Sequence, residues 1–129
     1  MRTILVVEDE FGAAEVLMAA LEDEGYRVVL AANGRQALDR LAEAHPDLIV
    51  ADYMMPIMDG AALALAVRSD PAHGHVPIII TSAVGEQAIR QRFTDYQAYL
   101  RKPFGVDELV QSVRKLVVPA GDRSAAEEL

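Results

Sequence analysis

The fold is decided by the stretch from Asp47 to Arg68, which reads DLIVADYMMPIMDGAALALAVR. It opens with a short apolar run, Asp47 to Ala51, of the kind that is buried on both faces of a parallel sheet. It closes with an alanine- and leucine-rich segment, Gly60 to Arg68, that predicts a helix. Between them lies a loop that begins at a single carboxylate, Asp52. The stretch therefore predicts a strand, a loop and a helix, the repeating unit of an α/β domain.

The same unit recurs along the whole chain. Strands are predicted at Thr3–Val7, Arg27–Ala31, Asp47–Ala51, Val76–Thr81 and Ala98–Leu100. Helices are predicted at Phe11–Glu24, from an Asn33 cap to just before Pro46, at Gly60–Arg68, from Glu86 to about Phe93, and at Val106–Val117. Five strands that alternate with five helices predict an α/β, (βα)5 doubly wound domain with a five-stranded parallel sheet.

Composition excludes several classes of function. The 129 residues are 52% hydrophobic and 25% charged, as in a globular domain, and no apolar run reaches the ~18 residues of a membrane span. The net charge of −8 argues against direct binding of nucleic acid. Cysteine is absent and the first residues do not form a secretory signal. We therefore expect a cytoplasmic protein without membrane insertion.

Polar side chains follow four of the predicted strands. They are Glu8, Asp9 and Glu10 after the first, Asp52 after the third, Thr81 and Ser82 after the fourth, and Lys102 after the fifth. Each has an ordinary explanation when taken alone, as a helix-end charge, a turn residue, a helix cap or a solvated loop charge. In a parallel sheet, however, they meet at one edge, where carboxylates suit Mg²⁺ and a lysine with a hydroxyl suits a phosphoryl group.

Four motifs in order resemble the receiver domain of two-component response regulators, in particular the single-domain chemotaxis type. The motifs are VVEDE, DYMMPIMDG, PIIITSA and YLRKPF, and the resemblance runs from about Arg2 to Val117. It implies a flavodoxin-like strand order, 2-1-3-4-5. It also implies a receiver domain, which we place over residues 1–118. After Val118 the composition shifts to PAGDRSAAEEL, which predicts a flexible tail over 119–129.

The resemblance assigns a role to each matching residue. Asp52 would be the phosphoacceptor. Mg²⁺, or alternatively Mn²⁺, would be bound directly by Asp9, Asp52 and the backbone carbonyl of Met54, and by Glu8 through a metal-bound water. Ser82 and Lys102 would contact the phosphoryl group, and Tyr99 would be the switch aromatic. Pro56, Gly60 and Pro103 would shape the loops, with Pro103 at a position that is cis in the family.

A receiver of this kind would take its phosphoryl group from a sensor histidine kinase or a histidine phosphotransfer protein. It would then switch the binding of a downstream partner, which the sequence does not identify, through the face formed by the fourth helix, the fifth strand and the fifth helix. The leading expectation is a stand-alone receiver that is not a metabolic enzyme, and Met1, directly ahead of the first strand, favours a natural N-terminus. The alternatives are a phosphorelay intermediate or the receiver module of a hybrid histidine kinase.

Two other classes fit less well. An aspartyl-phosphate phosphatase would want a second acid two residues after Asp52, where Met54 stands. A flavin-binding flavodoxin-like protein would need a phosphate-cradling loop where this chain has the acidic EDEFG.

The sequence also departs from the family pattern. The small residues expected before the fifth strand are replaced by Thr94, Asp95 and Tyr96, and the preceding gap is short, so the fourth helix is expected to be short or shifted. Met54 and Val84, which flank the site, offer no acid or amide to orient water, so slow self-dephosphorylation is expected. The histidines at 45, 73 and 75 are interpreted as incidental and not as metal ligands.

Overall fold

The computed structural model of the chain describes residues 2–117. Its strands are β1 (Thr3–Val7), β2 (Arg27–Ala31), β3 (Leu48–Asp52), β4 (Ile78–Ser82) and β5 (Ala98–Arg101). Its helices are α1 (Phe11–Asp23), α2 (Gly34–Ala44), α3 (Gly60–Arg68), α4 (Glu86–Arg90) and α5 (Val106–Leu116). The predicted tail, 119–129, and the predicted domain boundary at residue 118 lie outside the described residues and stay predictions.

The five strands form one parallel sheet in the order β2-β1-β3-β4-β5, which confirms the predicted fold class. All five strands therefore end at the same edge of the sheet. At that edge the last residue of β3, Asp52, lies opposite Thr81, and Ser82 of β4 lies opposite Arg101. The register thus brings the polar residues that follow the strands into one row.

Alternate side chains of each strand enter two separate cores. Leu5, Ile49 and Ile80 pack into a cluster with residues of α2, α3 and α4. Ile4, Val50 and Ile79 pack on the opposite face with residues of α1 and α5. Full burial of such a side chain is worth about 1.5–3 kcal/mol. Strands buried on both faces explain the continuous apolar runs that the sequence shows in place of polar alternation.

Side-chain caps fix two helix starts near the functional edge. Asn33 accepts a hydrogen bond from the Gln36 N–H (2.9 Å) at the start of α2, as the sequence predicted. Asp59 accepts one from the Ala62 N–H (2.8 Å) at the start of α3. The second cap fixes the end of the loop that begins at Asp52.

Several predicted bounds differ from the structure for local reasons. β3 begins at Leu48 because Asp47 instead accepts a hydrogen bond from the Thr3 N–H (2.8 Å) with its side chain. β4 begins at Ile78, since Pro77 has no N–H to give to the sheet. The fourth helix ends at Arg90 and not near Phe93, so the expectation of a short helix is confirmed.

Candidate functional site

Three carboxylates meet at the end of β1 and β3. Glu8, Asp9 and Asp52 each offer an oxygen, and these oxygens lie within 4.8 Å of one another. Glu8 and Asp52 are each only 5% exposed, whereas Asp9 is exposed to solvent. An all-oxygen donor set with one open side fits a hard divalent cation such as Mg²⁺, which keeps several waters when bound.

One cation of the chain already lies against this cluster. The Nζ of Lys102 is 3.0 Å from Glu8 Oε1 and 3.1 Å from Asp52 Oδ2. Burial alone would lower the pKa of the Lys102 ammonium, but the hydrogen bonds to Glu8 and Asp52 outweigh it, and the net pKa is raised. Lys102 is therefore held as a cation between the two buried carboxylates.

A chain of hydrogen bonds leads away from the site through Val84. The hydroxyl of Ser82, which is fully buried, accepts a hydrogen bond from the Val84 N–H (2.9 Å). The carbonyl of Val84 in turn accepts a hydrogen bond from the hydroxyl of Tyr99 on β5. Ser82 and Tyr99, both predicted from sequence, are thus linked through a single residue of the backbone.

Comparison with known proteins decides which family has this arrangement. The family model of the response regulator receiver domain matches residues 4–114. The chain belongs to this family. Its receiver domain matches a response regulator MprA from Mycolicibacterium vanbaalenii with 39% identity, over 88% of this chain and 49% of that protein. It matches sporulation initiation phosphotransferase F from Bacillus subtilis with 35% identity, over 87% of this chain and 90% of that protein.

Solved structures agree with the family assignment. The chemotaxis protein CheY4 of Vibrio cholerae has a TM-score of 0.86 at 28% identity, over 91% of this chain and 99% of that chain. Response regulator TrrA of Thermotoga maritima, solved in complex with Mg(2+)-BeF, has a TM-score of 0.82 at 32% identity, over 91% of this chain and 100% of that chain. The receiver spans about half the length of the first curated relatives that it matches.

The loop after Asp52 is shaped by close backbone contacts. The Met54 N–H donates to Asp52 Oδ1 (3.3 Å), and the Met58 N–H donates to the Pro56 carbonyl (2.7 Å). The predicted use of the Met54 carbonyl as a metal ligand stays a prediction. The Lys102–Pro103 peptide is cis, so this expectation from the resemblance is confirmed.

Gly60 leaves no room for a side chain at the end of that loop. A Cβ at this position would lie 2.7 Å from the Asp52 carbonyl oxygen and 2.8 Å from the Tyr53 Cα. Because both are backbone atoms that cannot rotate away, we expect Gly60→Ala to lower the free energy of unfolding by about 2 kcal/mol. Chemical denaturation measures this, with Gly12→Ala as the control, since a Cβ at Gly12 meets nothing within 4 Å. Equal stability of the two variants would contradict the prediction.

Sequence reasoning missed one residue beside the receiver site. Arg92 belongs to none of the motifs in the sequence, yet it contacts Tyr53 and Asp59, at the two ends of the loop after Asp52. Burial alone would raise the pKa of the Asp59 carboxyl, but the Ala62 N–H and Arg92 outweigh it, and the pKa is lowered. The pKa of Arg92 is raised, chiefly by its hydrogen bond to Asp59. A contact between residues 33 positions apart leaves no local signal in the sequence.

Two of the histidines, His45 and His73, contact one another, and neither belongs to the acidic cluster. His73 is buried, with Nδ1 3.0 Å from Asp70 Oδ2 and Nε2 2.9 Å from the Nδ1 of His45. The hydrogen bond from His73 lowers the pKa of Asp70. Across residues 2–117, only one group of three or more histidine, aspartate or glutamate side chains could hold a metal ion, and it consists of Glu8, Asp9 and Asp52.

No helix in the described part of the receiver is long and apolar enough to cross a membrane.

Proposed function

We propose that this receiver accepts a phosphoryl group on Asp52 from a phosphohistidine, with Mg²⁺, and that phosphorylation switches the binding of a partner. The observation that carries the proposal is the position of Asp52. It is buried at the end of β3, within reach of two further carboxylates and 3.1 Å from the Lys102 ammonium. Buried carboxylates repel one another, so such a cluster is costly unless it binds a cation.

The transfer itself exchanges one bond for another. An oxygen of ionised Asp52 forms a bond to phosphorus as the bond from phosphorus to the histidine nitrogen breaks, and the imidazole leaves with that electron pair. Asp52 has no proton to lose, so no general base is needed. Bound Mg²⁺, held by Glu8, Asp9 and Asp52 with the Met54 carbonyl, would offset the charge of the phosphoryl oxygens. Lys102 would pair with one phosphoryl oxygen, and Ser82 would donate a hydrogen bond to another.

The link through Val84 provides a route from the site to the surface. The Ser82 hydroxyl accepts a hydrogen bond from the Val84 N–H. If the hydroxyl turns toward a phosphoryl oxygen, this hydrogen bond is lost. The Val84 backbone can then move, and with it the carbonyl that holds the Tyr99 hydroxyl. We infer that the face formed by α4, β5 and α5 changes shape in this way and selects the partner.

The donor would be a sensor histidine kinase or a histidine phosphotransfer protein. A role as phosphorelay intermediate is the second candidate, and the match over 90% of a Bacillus subtilis sporulation phosphotransferase favours it. In either role the chain would act as a stand-alone cytoplasmic phosphoacceptor and not as a metabolic enzyme. Mn²⁺ has similar oxygen-ligand preferences and would substitute for Mg²⁺.

A small phosphodonor tests the proposal without knowledge of the kinase. We expect acetyl phosphate and Mg²⁺ to add one phosphoryl group per chain by intact-protein mass spectrometry, and a chelator to prevent the addition. Peptide mapping after reduction with borohydride should place the group on Asp52. Addition that survives the chelator, or that maps to another residue, would refute the proposed site.

Loss of the phosphoryl group is expected to be slow, with a half-life on the order of minutes or longer. Met54, 60% exposed at the mouth of the site, cannot orient an attacking water, and neither can Val84. A phosphate-release assay after removal of the donor measures the half-life. We expect Met54→Asn, which supplies an amide at this position, to shorten it. A wild-type half-life of seconds would contradict the expectation.

A further inference from the structure

The short helix α4 is attached to the receiver at three places. Ile89 is fully buried in the core. Near the start of α4, the Tyr96 hydroxyl donates to Glu86 (2.5 Å), and burial together with that carboxylate raises the pKa of Tyr96 to about 12. Just past its end, the side chain of Arg92 reaches the loop after Asp52. A helix of five residues has little stability of its own, so these contacts determine where it lies.

Arg92 holds that loop at both of its ends. Its Nη1 lies 3.0 Å from the Tyr53 hydroxyl and 2.8 Å from Asp59 Oδ2, and its guanidinium lies 5.7 Å from the centre of the Tyr53 ring. Tyr53 directly follows the proposed phosphoacceptor, and Asp59 caps α3 through its other oxygen. The side chain of Arg92 is 51% exposed, so the ion pair alone would add little to overall stability.

We propose that Arg92 is a positioning residue for the phosphoryl site: it fixes the loop from Tyr53 to Asp59 and joins that loop to α4. This inference rests on the proposed function, because the loop matters to chemistry only if it carries the phosphoacceptor and a metal ligand. The residues between the two anchors, Met54 to Met58, include the carbonyl predicted to bind Mg²⁺. Anchors on both sides limit how far that carbonyl can move from Asp52.

The proposal also gives α4 a direct connection to the site. A movement of α4 that carries Arg92 with it would stretch or break the contacts of Arg92 with Tyr53 and Asp59. Conversely, a change in the conformation of the loop on phosphorylation would shift Arg92 and the end of α4. This connection is separate from the one through Ser82, Val84 and Tyr99. Val84 precedes α4, whereas Arg92 follows it, so the two connections reach the site from opposite ends of the helix.

Arg92→Gln tests the proposal by two measurements that do not need phosphorylation. Isothermal titration should show Mg²⁺ affinity about threefold to tenfold weaker, somewhat less than the loss caused by removing a direct support of a metal ligand. Hydrogen exchange of the metal-free protein should be about tenfold faster in the segments 53–60 and 86–92, where contacts that oppose local opening are lost. Arg92→Lys should restore both values in part, since its ammonium keeps the charge beside Asp59 but reaches less far and lacks the planar contact with the Tyr53 ring.

Arg114→Gln is the matched control. Arg114 on α5 is similarly exposed (57%) and pairs with Glu24, far from the loop. If both variants bind Mg²⁺ and exchange hydrogen alike, the proposal is overturned, because Arg92 would then be one more surface ion pair. Failure of the wild-type protein to take a phosphoryl group would refute the proposed function and not the role of Arg92. The exchange experiment would still decide whether Arg92 fixes the loop.

Discussion

Asp52→Asn is expected to lower metal-dependent phosphoryl incorporation by about 1,000-fold or more, because the amide has no charged oxygen to form the bond to phosphorus. The same change should raise the free energy of unfolding of the metal-free protein by about 1 kcal/mol at low salt. Asp52 gains one attraction, to Lys102, but suffers repulsion from both Glu8 and Asp9. Mass spectrometry follows the first effect, and urea denaturation follows the second.

Magnesium should stabilise wild type more than the variant. A ligand that binds only the folded state stabilises it, and the variant lacks one of the three carboxylates that would bind the ion. Wild type should therefore gain more in Tm from millimolar Mg²⁺ than Asp52→Asn does. Asp39→Asn, which removes an exposed carboxylate of α2, should match wild type in all three measurements. Phosphorylation retained by Asp52→Asn would rule out Asp52 as the acceptor.

The acidic cluster could be predicted from sequence for a simple geometric reason. Parallel strands end at one edge, so residues that follow separate strands must meet there, whatever lies between them in the chain. Glu8 and Asp52 are far apart in sequence, yet the strand pattern places both at one edge of the sheet, and the strand order implied by the family resemblance makes β1 and β3 neighbours. Lys102 follows the last strand and is found against the same carboxylates for the same reason.

The region of α4 could not be predicted in the same way. Its sequence predicted a short or shifted fourth helix, because the small residues of the family are absent before β5 and the preceding gap is short, but it indicated none of the contacts that hold this helix. The structure shows that Tyr96 reaches back to Glu86 and that Arg92 reaches across to Asp59. Both contacts are made by long side chains in irregular segments, where no repeating pattern fixes which way a residue points.

The histidine pair illustrates a second limit. His45 and His73 are 28 residues apart and belong to loops on different helices, so their contact has no periodic signal. The backbone of His45 is in the left-handed region (φ 47°) at the end of α2, a position at which a sequence pattern would favour glycine. The contact between His45 and His73 joins two loops. The interpretation that neither histidine binds a metal ion stays a prediction.

The proposed function explains why the site lowers the stability of the fold. Two carboxylates that are almost fully buried share one ammonium, an arrangement that a sequence chosen for stability alone would avoid. The excess negative charge of the metal-free site is useful if the cluster binds Mg²⁺, which offsets that charge. The bound cation and Lys102 would then offset the charge of the phosphoryl group. The stability of this receiver should therefore depend on its ligands more than that of an ordinary domain of similar size.

Lys102→Gln should move metal binding and phosphorylation in opposite directions. Without the ammonium at 3.0 Å from Glu8 and 3.1 Å from Asp52, the cluster is more negative, so Mg²⁺ affinity should rise about threefold to tenfold. Phosphoryl transfer should nevertheless slow by about 100-fold, because a cation that stabilises the phosphoryl oxygens in the transition state is lost. Isothermal titration with Mg²⁺ measures the first quantity, and initial rates with acetyl phosphate at saturating Mg²⁺ measure the second.

Lys115→Gln provides the control, since it removes the chain's other lysine from the exposed face of α5. It should leave both Mg²⁺ affinity and the transfer rate unchanged within about twofold, because exposed charges act weakly over such distances. A general loss of structure in Lys102→Gln would weaken both quantities together, and so would contradict the charge argument. Tighter Mg²⁺ binding with slower transfer has no such structural explanation, because a distorted site does not bind its ion more tightly. The opposite signs therefore distinguish a lysine that acts on the phosphoryl group from one that merely neutralises buried carboxylates.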